Sequence, residues 1–309
     1  MTEDLLEPLP APDGFKAGYV TIIGDPNVGK STLLNALIGQ KISIVSHKPQ
    51  TTRHRILGIR SNSASQIIFL DTPGLLTPSY KLQEAMMQSA FRAMEEADVI
   101  VFMIDVTDPK IGPEIEHDVA FKTLARLRKP VFLVINKTDL AAKADIASVI
   151  GFYSVKYDFT EIFPISAKGS EGTEDLATSL VGYLPVHPPF YPLDVVSEHP
   201  ERFFVGEIIR EKIFEQFREE IPYSTTVDIV DFTEQRGRKD LIRAEIYVER
   251  ESQKGILIGK QGKALREIGE KARKDIETFL ERKVFLEIHV KVREKWRGSD
   301  AWLKRLGYH

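Results

Sequence analysis

The sequence predicts two domains: an α/β domain with a doubly wound sheet, followed by a smaller α+β domain. Three observations support this prediction. The chain has 309 residues, more than a single domain usually contains. Short apolar runs alternate with amphipathic stretches over residues 16–184. Five of the 17 prolines then fall within residues 184–200.

The strands of the first domain are predicted from apolar runs rich in Val, Ile and Phe. These runs cover residues 19–23, 67–70, 99–104, 131–135 and 162–165. Uninterrupted runs of this kind are typical of strands buried on both faces, which favours a mostly parallel sheet. Helical patterns lie between the runs, for example over residues 82–97, 114–127 and 172–183.

The prolines mark the boundary between the domains. Because proline fixes φ and lacks an N–H donor, we expect the proline-rich segment to be a semi-rigid linker. The chain is therefore divided into an N-terminal extension, a first domain, a linker, a second domain and a basic tail. These parts cover residues 1–15, 16–184, 185–200, 201–292 and 293–309.

The second domain has a different order of elements. An amphipathic helix is predicted over residues 201–219, and it precedes an antiparallel pair of strands. The strands cover residues 225–232 and 241–248 and are joined at 235–238. A short apolar piece (255–258), a long charged helix (263–280) and a last strand (284–292) follow.

The composition excludes several classes of protein. The chain has no cysteine, which excludes disulfides, thiol nucleophiles, zinc fingers and iron–sulfur clusters, and fits a reducing cytoplasm. The longest apolar run, 99–104, is far shorter than the roughly 18 residues that span a bilayer, and the acidic start lacks the features of a signal peptide. Net charge is −3, yet residues 251–309 carry 15 Lys and Arg against 9 Asp and Glu, which favours contact with a polyanion.

A phosphate-binding loop is predicted at the end of the first strand. Its pattern is Gly24-Asp25-Pro26-Asn27-Val28-Gly29-Lys30-Ser31, with Thr32 following and a helix predicted over residues 31–38. Glycines allow the backbone to wrap a phosphate, and the helix N-terminus adds a positive end. Lys30 is expected to bridge the β- and γ-phosphates, and Ser31 to bind Mg²⁺. The alternative is a glycine-rich turn without a ligand.

Three more motifs follow predicted strands of the same sheet. They are Asp71-Thr72-Pro73-Gly74, Asn136-Lys137-Thr138-Asp139 and Ser166-Ala167-Lys168. Asp71 is expected to hold Mg²⁺ through water, and the Gly74 N–H to reach the γ-phosphate. The Asp139 carboxylate can accept two N–H groups of guanine, a donor pair that adenine lacks. Because the carboxyl ends of parallel strands form the ligand-binding edge of such sheets, the motifs together predict a guanine-nucleotide site.

The motif set resembles the translation-factor-related P-loop GTPases, and the segment from Pro49 to Ile56 resembles the first switch of the Era family of bacterial GTPases. The resemblance implies a doubly wound P-loop GTPase domain followed by a type II KH domain. It implies that the chain binds GTP or GDP with Mg²⁺, hydrolyses GTP, binds small-subunit ribosomal RNA near its 3′ end and acts in ribosome assembly. The further expectation is a cytoplasmic monomer, with peripheral association at the inner membrane as an additional option.

The expected catalytic residues are Lys30, Thr52, Asp71 and Gly74. By resemblance, Thr52 rather than Thr51 closes over Mg²⁺ and the γ-phosphate. Leu75 occupies the position at which many GTPases place a glutamine, so intrinsic turnover is expected to be slow. Leu75 either faces the core or forms part of a partner surface.

Two further expectations concern charge near the phosphates. By resemblance, Asn27 occupies a position at which related GTPases coordinate a monovalent cation, so K⁺ is a possible second ion; the alternative is that Asn27 holds the shape of the loop. Arg53 and Arg55 could reach the phosphates, but the expectation is that they are solvated or contact RNA.

RNA binding is predicted at the turn Gly259-Lys260-Gln261-Gly262, which lies between two predicted helical segments. The bases would lie over Ile256, Leu257 or Ile258, with Lys263 nearby. Arg293 and Lys295 in the tail could contact phosphates, whereas Trp296 and Trp302 are expected to pack a closing helix against the domain. The alternative function is a GTPase whose second domain contacts protein or membrane.

Overall fold

The computed structural model describes residues 12–112, 115, 119–124, 126, 128–235 and 237–308. The chain forms two compact units. The first contains the described residues up to Ser43, then Thr52–Thr77 and Met87–Glu198. The second contains Ile44–Thr51, Pro78–Met86 and the described residues from His199 onward. Most of the predicted N-terminal extension, residues 1–11, lies outside the described residues.

The first unit contains a six-stranded sheet with the strand order β2-β3-β1-β4-β5-β6. The strands are β1 (Lys16–Gly24), β2 (Ile56–Ser61), β3 (Ser65–Asp71), β4 (Val99–Asp105), β5 (Val131–Asn136) and β6 (Glu161–Pro164). Only β2 is antiparallel to its neighbour among these strands, so the predicted mostly parallel sheet is confirmed.

Strand β2 has no counterpart in the prediction, because Gly58 and Arg60 interrupt its apolar pattern. Gly58 serves packing against the helix that follows the phosphate loop. A Cβ at this position would lie 2.9 Å from Leu34 and 3.0 Å from Ile38. The glycine therefore lets this helix approach the sheet closely.

Helices alternate with the strands along the chain and pack against the sheet, as is typical of an α/β domain. They are α1 (Lys30–Ile38), α2 (Lys81–Glu96), α3 (Val119–Leu124), α4 (Lys143–Lys156) and α5 (Thr173–Gly182). Helix α3 covers the middle of the predicted helix 114–127. Residues 114, 116–118, 125 and 127 of that prediction lie outside the described residues.

The proline-rich segment is hydrogen-bonded to residues on and beside the sheet of the first unit. The His187 N–H donates to the Phe15 carbonyl at 3.0 Å, and the Ile59 N–H of the edge strand β2 donates to the Val196 carbonyl at 2.8 Å. The buried Gln66 side chain accepts the N–H groups of Phe190 and Tyr191 at 2.7 and 3.0 Å. Residues 185–198 therefore form a strap over strands β1, β2 and β3.

The second unit contains a three-stranded sheet with the order β7-β8-β9. Its elements are α6 (Glu201–Gln216), α7 (Ile221–Ser224), β7 (Thr226–Thr233), β8 (Asp240–Val248), α8 (Glu251–Ile258), α9 (Lys263–Leu280), β9 (Val284–Val292) and α10 (Asp300–Arg305). Strands β7 and β8 are antiparallel, and β8 and β9 are parallel. The core includes Ile209, Ile246, Ile268 and Ile276. This order confirms the predicted type II KH fold.

Three details of the second unit differ from the prediction or lie outside the described residues. Helix α6 ends at Gln216 rather than at residue 219, and the apolar piece 255–258 is the second half of helix α8. In the predicted turn at 235–238, residue 236 lies outside the described residues.

Segment 44–51 of the second unit is held by helix α6. The Val45 N–H donates to Glu211 Oε1 at 3.0 Å, and the buried Arg210 guanidinium donates to the Thr51 carbonyl. The Lys48 ammonium donates to the carbonyls of Phe214 and Phe217. Within the part of the chain that the structure describes, no helix has the length and apolar character needed to cross a membrane.

Candidate functional site

Three oxygen-bearing side chains meet beside the start of helix α1. Ser31 lies in the first turn of α1, Asp71 ends strand β3, and Thr52 lies in the loop before β2. Ser31 Oγ donates to Asp71 Oδ2 at 2.7 Å and lies 2.7 Å from Thr52 Oγ1. Ser43, which the sequence did not single out, donates its hydroxyl to the same Asp71 oxygen at 3.0 Å.

This cluster has the donors that Mg²⁺ prefers. Mg²⁺ is a hard cation that binds carboxylate and hydroxyl oxygens. Asp71 is fully buried, and its Oδ1 has no hydrogen-bond partner among the described residues. Burial raises the pKa of Asp71, while Lys30 and the hydroxyls of Ser31, Ser43 and Thr52 oppose that rise. A divalent cation would compensate this buried carboxylate, so the residues fit Mg²⁺.

Lys30 is buried within the phosphate loop. Its ammonium donates to the carbonyls of Gly24 and Asp25 at 3.1 and 2.7 Å. Burial lowers the pKa of Lys30 to about 8, although Asp71 and Asp25 act in the opposite direction. The phosphates of a nucleotide would supply the negative charge that this buried cation lacks.

The loop itself has the backbone that a phosphate cradle requires. Gly24 and Gly29 have φ values of 148° and 105°, in the region that favours glycine. A Cβ on Gly24 would lie 2.2 Å from the Met103 carbonyl oxygen, and one on Gly29 would lie 2.3 Å from Asn136 Nδ2. Both glycines are therefore required by geometry as well as by the motif.

Asn136 joins three of the predicted motifs. Its Nδ2 donates to the Val28 carbonyl at 2.8 Å, and its Oδ1 accepts the Ala167 N–H at 2.9 Å. The Thr138 N–H donates to the Ile165 carbonyl at 3.2 Å. The loops that carry residues 24–31, 136–139 and 166–168 are thus tied together at one edge of the sheet.

The outer residues of these motifs are less buried. Asp139 and Lys168 are exposed, and Asp139 lies in a short 3₁₀ turn, Thr138–Leu140. Lys137 has a φ of 65° and forms an ion pair with Asp105 at the end of strand β4. Asp105 was not predicted as a site residue, although it ends a strand as Asp71 and Asn136 do.

Leu75 faces the core, which is one of the two arrangements expected for this residue. Its side chain is 2% exposed, and its N–H donates to the Gly24 carbonyl at 3.1 Å. A Cβ on Gly74 would lie 2.7 Å from the Pro26 nitrogen. Thr72 and Pro73 are buried, and the Thr72 hydroxyl donates to the Ile22 carbonyl at 2.9 Å.

Asn27 and Leu75 border one cavity of about 460 Å³, which Asp25, Asp105, Asp108 and Lys110 also line. Asn27 is exposed and has a φ of 68°. No hydrogen-bond partner of its amide side chain is found among the described residues. The amide oxygen is therefore available to a ligand.

The two switch arginines differ in their surroundings. Arg53 is 1% exposed, so the expectation that it is solvated or contacts RNA is wrong for this residue. The sequence around Arg53 offers no apolar pattern that would indicate this burial. Arg55 is partly exposed and forms an ion pair with Glu96.

The predicted RNA-binding turn joins helices α8 and α9. Gly259 and Gly262 have φ values of 71° and 75°, and a Cβ on Gly259 would lie 2.7 Å from the Ala264 Cβ. Lys260, Gln261 and Lys263 are exposed. The turn therefore presents polar and basic side chains on a backbone that glycine keeps open.

The three apolar residues before the turn have different environments. Ile256 is 49% exposed and Ile258 is partly buried, whereas Leu257 is fully buried in the core. Of the three residues expected to form the floor of a base groove, only Ile256 and Ile258 are accessible.

The basic tail contains both buried aromatic side chains and exposed basic side chains. Trp296 is fully buried and donates its Nε1–H to the Ser224 carbonyl at 2.9 Å. Trp302 contacts Tyr247, with ring centroids 5.0 Å apart, and the Arg293 guanidinium lies 4.9 Å from the Trp302 centroid. Both indoles pack against the domain as expected. Arg293 and Lys295 are exposed.

Two family models match the chain. A model described as a 50S ribosome-binding GTPase matches residues 19–137, and a KH domain model matches residues 220–297. GTPase Era of Geotalea uraniireducens is 46% identical over 294 residues, which cover 95% of this chain and 98% of that protein. The chain belongs to the Era family of GTPases. The resemblance inferred from the motifs is thereby confirmed.

Solved Era structures share the fold. An Era variant from Aquifex aeolicus bound to GDP and AlF4⁻ has a TM-score of 0.89 and 42% identity, covering 95% of this chain and 99% of that one. Era in complex with MgGDPNP and nucleotides 1506–1542 of 16S ribosomal RNA has a TM-score of 0.89 and 41% identity, with the same coverage. The family also includes GTPase ERA1, chloroplastic, of Zea mays, 47% identical over 296 residues, covering 95% of this chain and 70% of that protein.

Proposed function

We propose that this Era-family protein binds and hydrolyses GTP and uses its KH domain to bind small-subunit ribosomal RNA near the 3′ end during assembly of the small subunit. The observation that carries the GTPase half is the meeting of Ser31, Thr52 and Asp71 beside the buried Lys30. The motifs at residues 136–139 and 166–168, held to the phosphate loop by Asn136, supply the guanine site.

Each group has a distinct role in this proposal. The backbone N–H groups of residues 24–32, apart from Pro26, bind the phosphates, and Lys30 stabilises negative charge that develops during transfer of the γ-phosphoryl group. Ser31, Thr52 and, through water, Asp71 would hold Mg²⁺, which neutralises phosphate charge when bound. The Gly74 N–H orients the γ-phosphate, and Asp139 selects guanine.

The Leu75 side chain cannot donate or accept a hydrogen bond, so it does not orient the attacking water. We therefore expect slow intrinsic hydrolysis that an additional positive charge accelerates. The exposed Asn27 amide, without a partner among the described residues, supports K⁺ as that charge. Steady-state GTP turnover in KCl and in NaCl at equal ionic strength tests this, with Asn27→Ala as the variant that should lose the difference. Equal rates for the wild type in the two salts would refute the K⁺ site.

The RNA half rests on the exposed Gly259–Gly262 turn between helices α8 and α9. Its open backbone and the exposed Lys260 and Lys263 can contact the phosphates of a single RNA strand. Ile256 and Ile258 offer apolar surface to the bases. Exposed Arg293 and Lys295 add positive charge in the same unit. The relative bound to 16S ribosomal RNA gives the class of RNA.

A matched pair of charge reversals tests this half in the full chain. Lys260→Asp with Lys263→Asp should abolish retention of a 3′-terminal small-subunit RNA oligonucleotide at low salt. The control is Lys143→Asp with Lys156→Asp, which makes the same charge change at exposed ends of helix α4. Equal loss in both variants would indicate a general charge effect. If neither variant lost RNA, the second domain would instead be a contact for protein or membrane.

A protein that acts on small-subunit RNA works where ribosomes assemble, and we accordingly propose that it acts in the cytoplasm. That the chain is a monomer is a separate proposal, taken from the family resemblance. Peripheral association with the inner membrane is the other location that the family resemblance implies. Co-sedimentation of the full chain with anionic vesicles, compared with neutral vesicles, tests that association.

A further inference from the structure

The loop after strand β4 places a lysine on the phosphate loop. Lys110 forms an ion pair with Asp25, the second residue of the phosphate-binding pattern. Neither residue belongs to the metal cluster or to the base motifs, and nothing in the sequence pattern assigns a role to Lys110. Asp25 and Lys110 line the same cavity of about 460 Å³.

Asp25 introduces negative charge where phosphates bind. Its side chain is 22% exposed, and its backbone carbonyl accepts the Lys30 ammonium at 2.7 Å. A carboxylate at this place repels a polyphosphate unless a cation neutralises it, because unit charges in a partly buried site interact over several ångströms. The Lys110 ammonium, which is paired with Asp25, contributes to this neutralisation.

The protein holds Lys110 in this position. Asp105 accepts the Thr107 N–H at 2.9 Å and forms an ion pair with Lys137. The Tyr153 hydroxyl donates to the Pro109 carbonyl at 2.5 Å. The loop is thus anchored on a base motif at its start and on helix α4 near its end, so the ammonium is directed to Asp25.

The position of the cavity suggests which nucleotide is affected. Leu75 also lines the cavity, and it follows Gly74, whose N–H is assigned to the γ-phosphate. GTP carries its additional negative charge on the γ-phosphate, whereas GDP lacks this group. Loss of the Lys110 charge beside Asp25 would therefore disfavour GTP more than GDP.

We propose that Lys110 is a positioning residue that neutralises Asp25 and thereby favours binding of GTP over GDP. This inference rests on the proposed function, since it assumes that the loop binds a guanine nucleotide. It adds a determinant of the GTP-to-GDP preference that lies outside the four nucleotide motifs.

Titration of the full chain with fluorescent GDP and with a non-hydrolysable fluorescent GTP analogue tests the proposal. Lys110→Gln should weaken binding of the GTP analogue about 5-fold at low salt and binding of GDP less than about 2-fold. Added salt should reduce the difference between the two nucleotides. Lys110→Arg should retain wild-type affinities. Asp25→Asn with Lys110→Gln should restore much of the lost GTP affinity, because the negative charge of Asp25 is then removed together with the positive charge of Lys110.

Three outcomes would overturn the proposal. Lys110→Gln could leave both affinities unchanged, it could weaken the binding of both nucleotides equally, or the double variant could bind the GTP analogue as weakly as Lys110→Gln does. Thermal unfolding of each variant identifies a change that acts only through folding. Failure of the wild type to bind either nucleotide would instead refute the proposed GTPase function, so the two failures are distinguishable.

Discussion

The hydroxyl oxygens of Ser31 and Thr52 lie 2.7 Å apart, although 21 positions separate the two residues in the sequence. The neighbouring Thr51 has a different contact, because its hydroxyl donates to the Lys48 carbonyl at 2.6 Å. The two adjacent threonines therefore have separable roles. Thr52 is positioned to be a metal ligand, and Thr51 closes a turn.

The first prediction follows from this division. Thr52→Ala should reduce single-turnover GTP hydrolysis by about 10- to 100-fold, the scale expected when a metal site loses one supporting group. Thr51→Ala should leave hydrolysis within a few-fold and lower the free energy of unfolding by about 1 kcal/mol through one lost hydrogen bond. Rapid-quench measurement of phosphate release, with urea unfolding, checks both. The reverse order of effects would transfer the metal role to Thr51.

The second prediction concerns the choice of base. Asp139→Asn should weaken GTP binding by roughly 100-fold or more, because the substitution removes the carboxylate and with it two charge-assisted hydrogen bonds to guanine. The asparagine amide can instead donate to the additional carbonyl of xanthine, so xanthosine nucleotides should gain affinity. Competitive displacement by GTP, XTP and ATP measures this. ATP that displaced GTP from the wild type at equal concentration would contradict the base site itself.

The third prediction separates folding from RNA binding at two adjacent residues. Leu257→Ala should lower the free energy of unfolding by about 2–5 kcal/mol, since this side chain is fully buried. Ile256→Ala removes a side chain that is 49% exposed and should change stability by about 0.5 kcal/mol or less while weakening RNA binding. Urea unfolding and filter retention of RNA distinguish the two effects. Intact RNA binding by Ile256→Ala would remove this residue from the groove.

The fourth prediction concerns the strap. Gln66→Leu leaves the N–H groups of Phe190 and Tyr191 and the Tyr191 carbonyl without their buried partner. The free energy of unfolding should fall by about 2–4 kcal/mol, because unsatisfied buried polar groups are costly. Gln40→Leu replaces an exposed glutamine of the same unit and serves as the control. A similar stability of both variants in urea would show that the strap contributes little.

Much of the fold follows from local patterns that sequence carries directly. Buried parallel strands need continuous apolar runs, so five such runs located all of the first unit's six strands except β2. Strand β2 was not found because its Gly58 is selected by packing against α1, which is a tertiary requirement. The motif residues at strand ends were found because phosphate and base chemistry restricts their identity and spacing.

Other features depend on contacts between distant residues and could not be predicted. Arg53 is buried and Ser43 donates to Asp71, yet no pattern in the sequence indicates this burial or this hydrogen bond. The Lys110 contact with Asp25 joins positions 85 residues apart. Prolines correctly indicate that regular structure stops after residue 184, but they do not reveal which surface the following segment contacts.

The strap determines where the first unit can be cut. Strand β2 forms the outer edge of the sheet, and Val196 accepts the Ile59 N–H of that strand. A fragment that stopped at residue 184 would expose this edge, and an open edge recruits strands from other molecules into aggregates. Proteolysis within residues 185–198 would have the same effect. A soluble fragment of the first unit therefore has to extend to residue 198, well past its last helix.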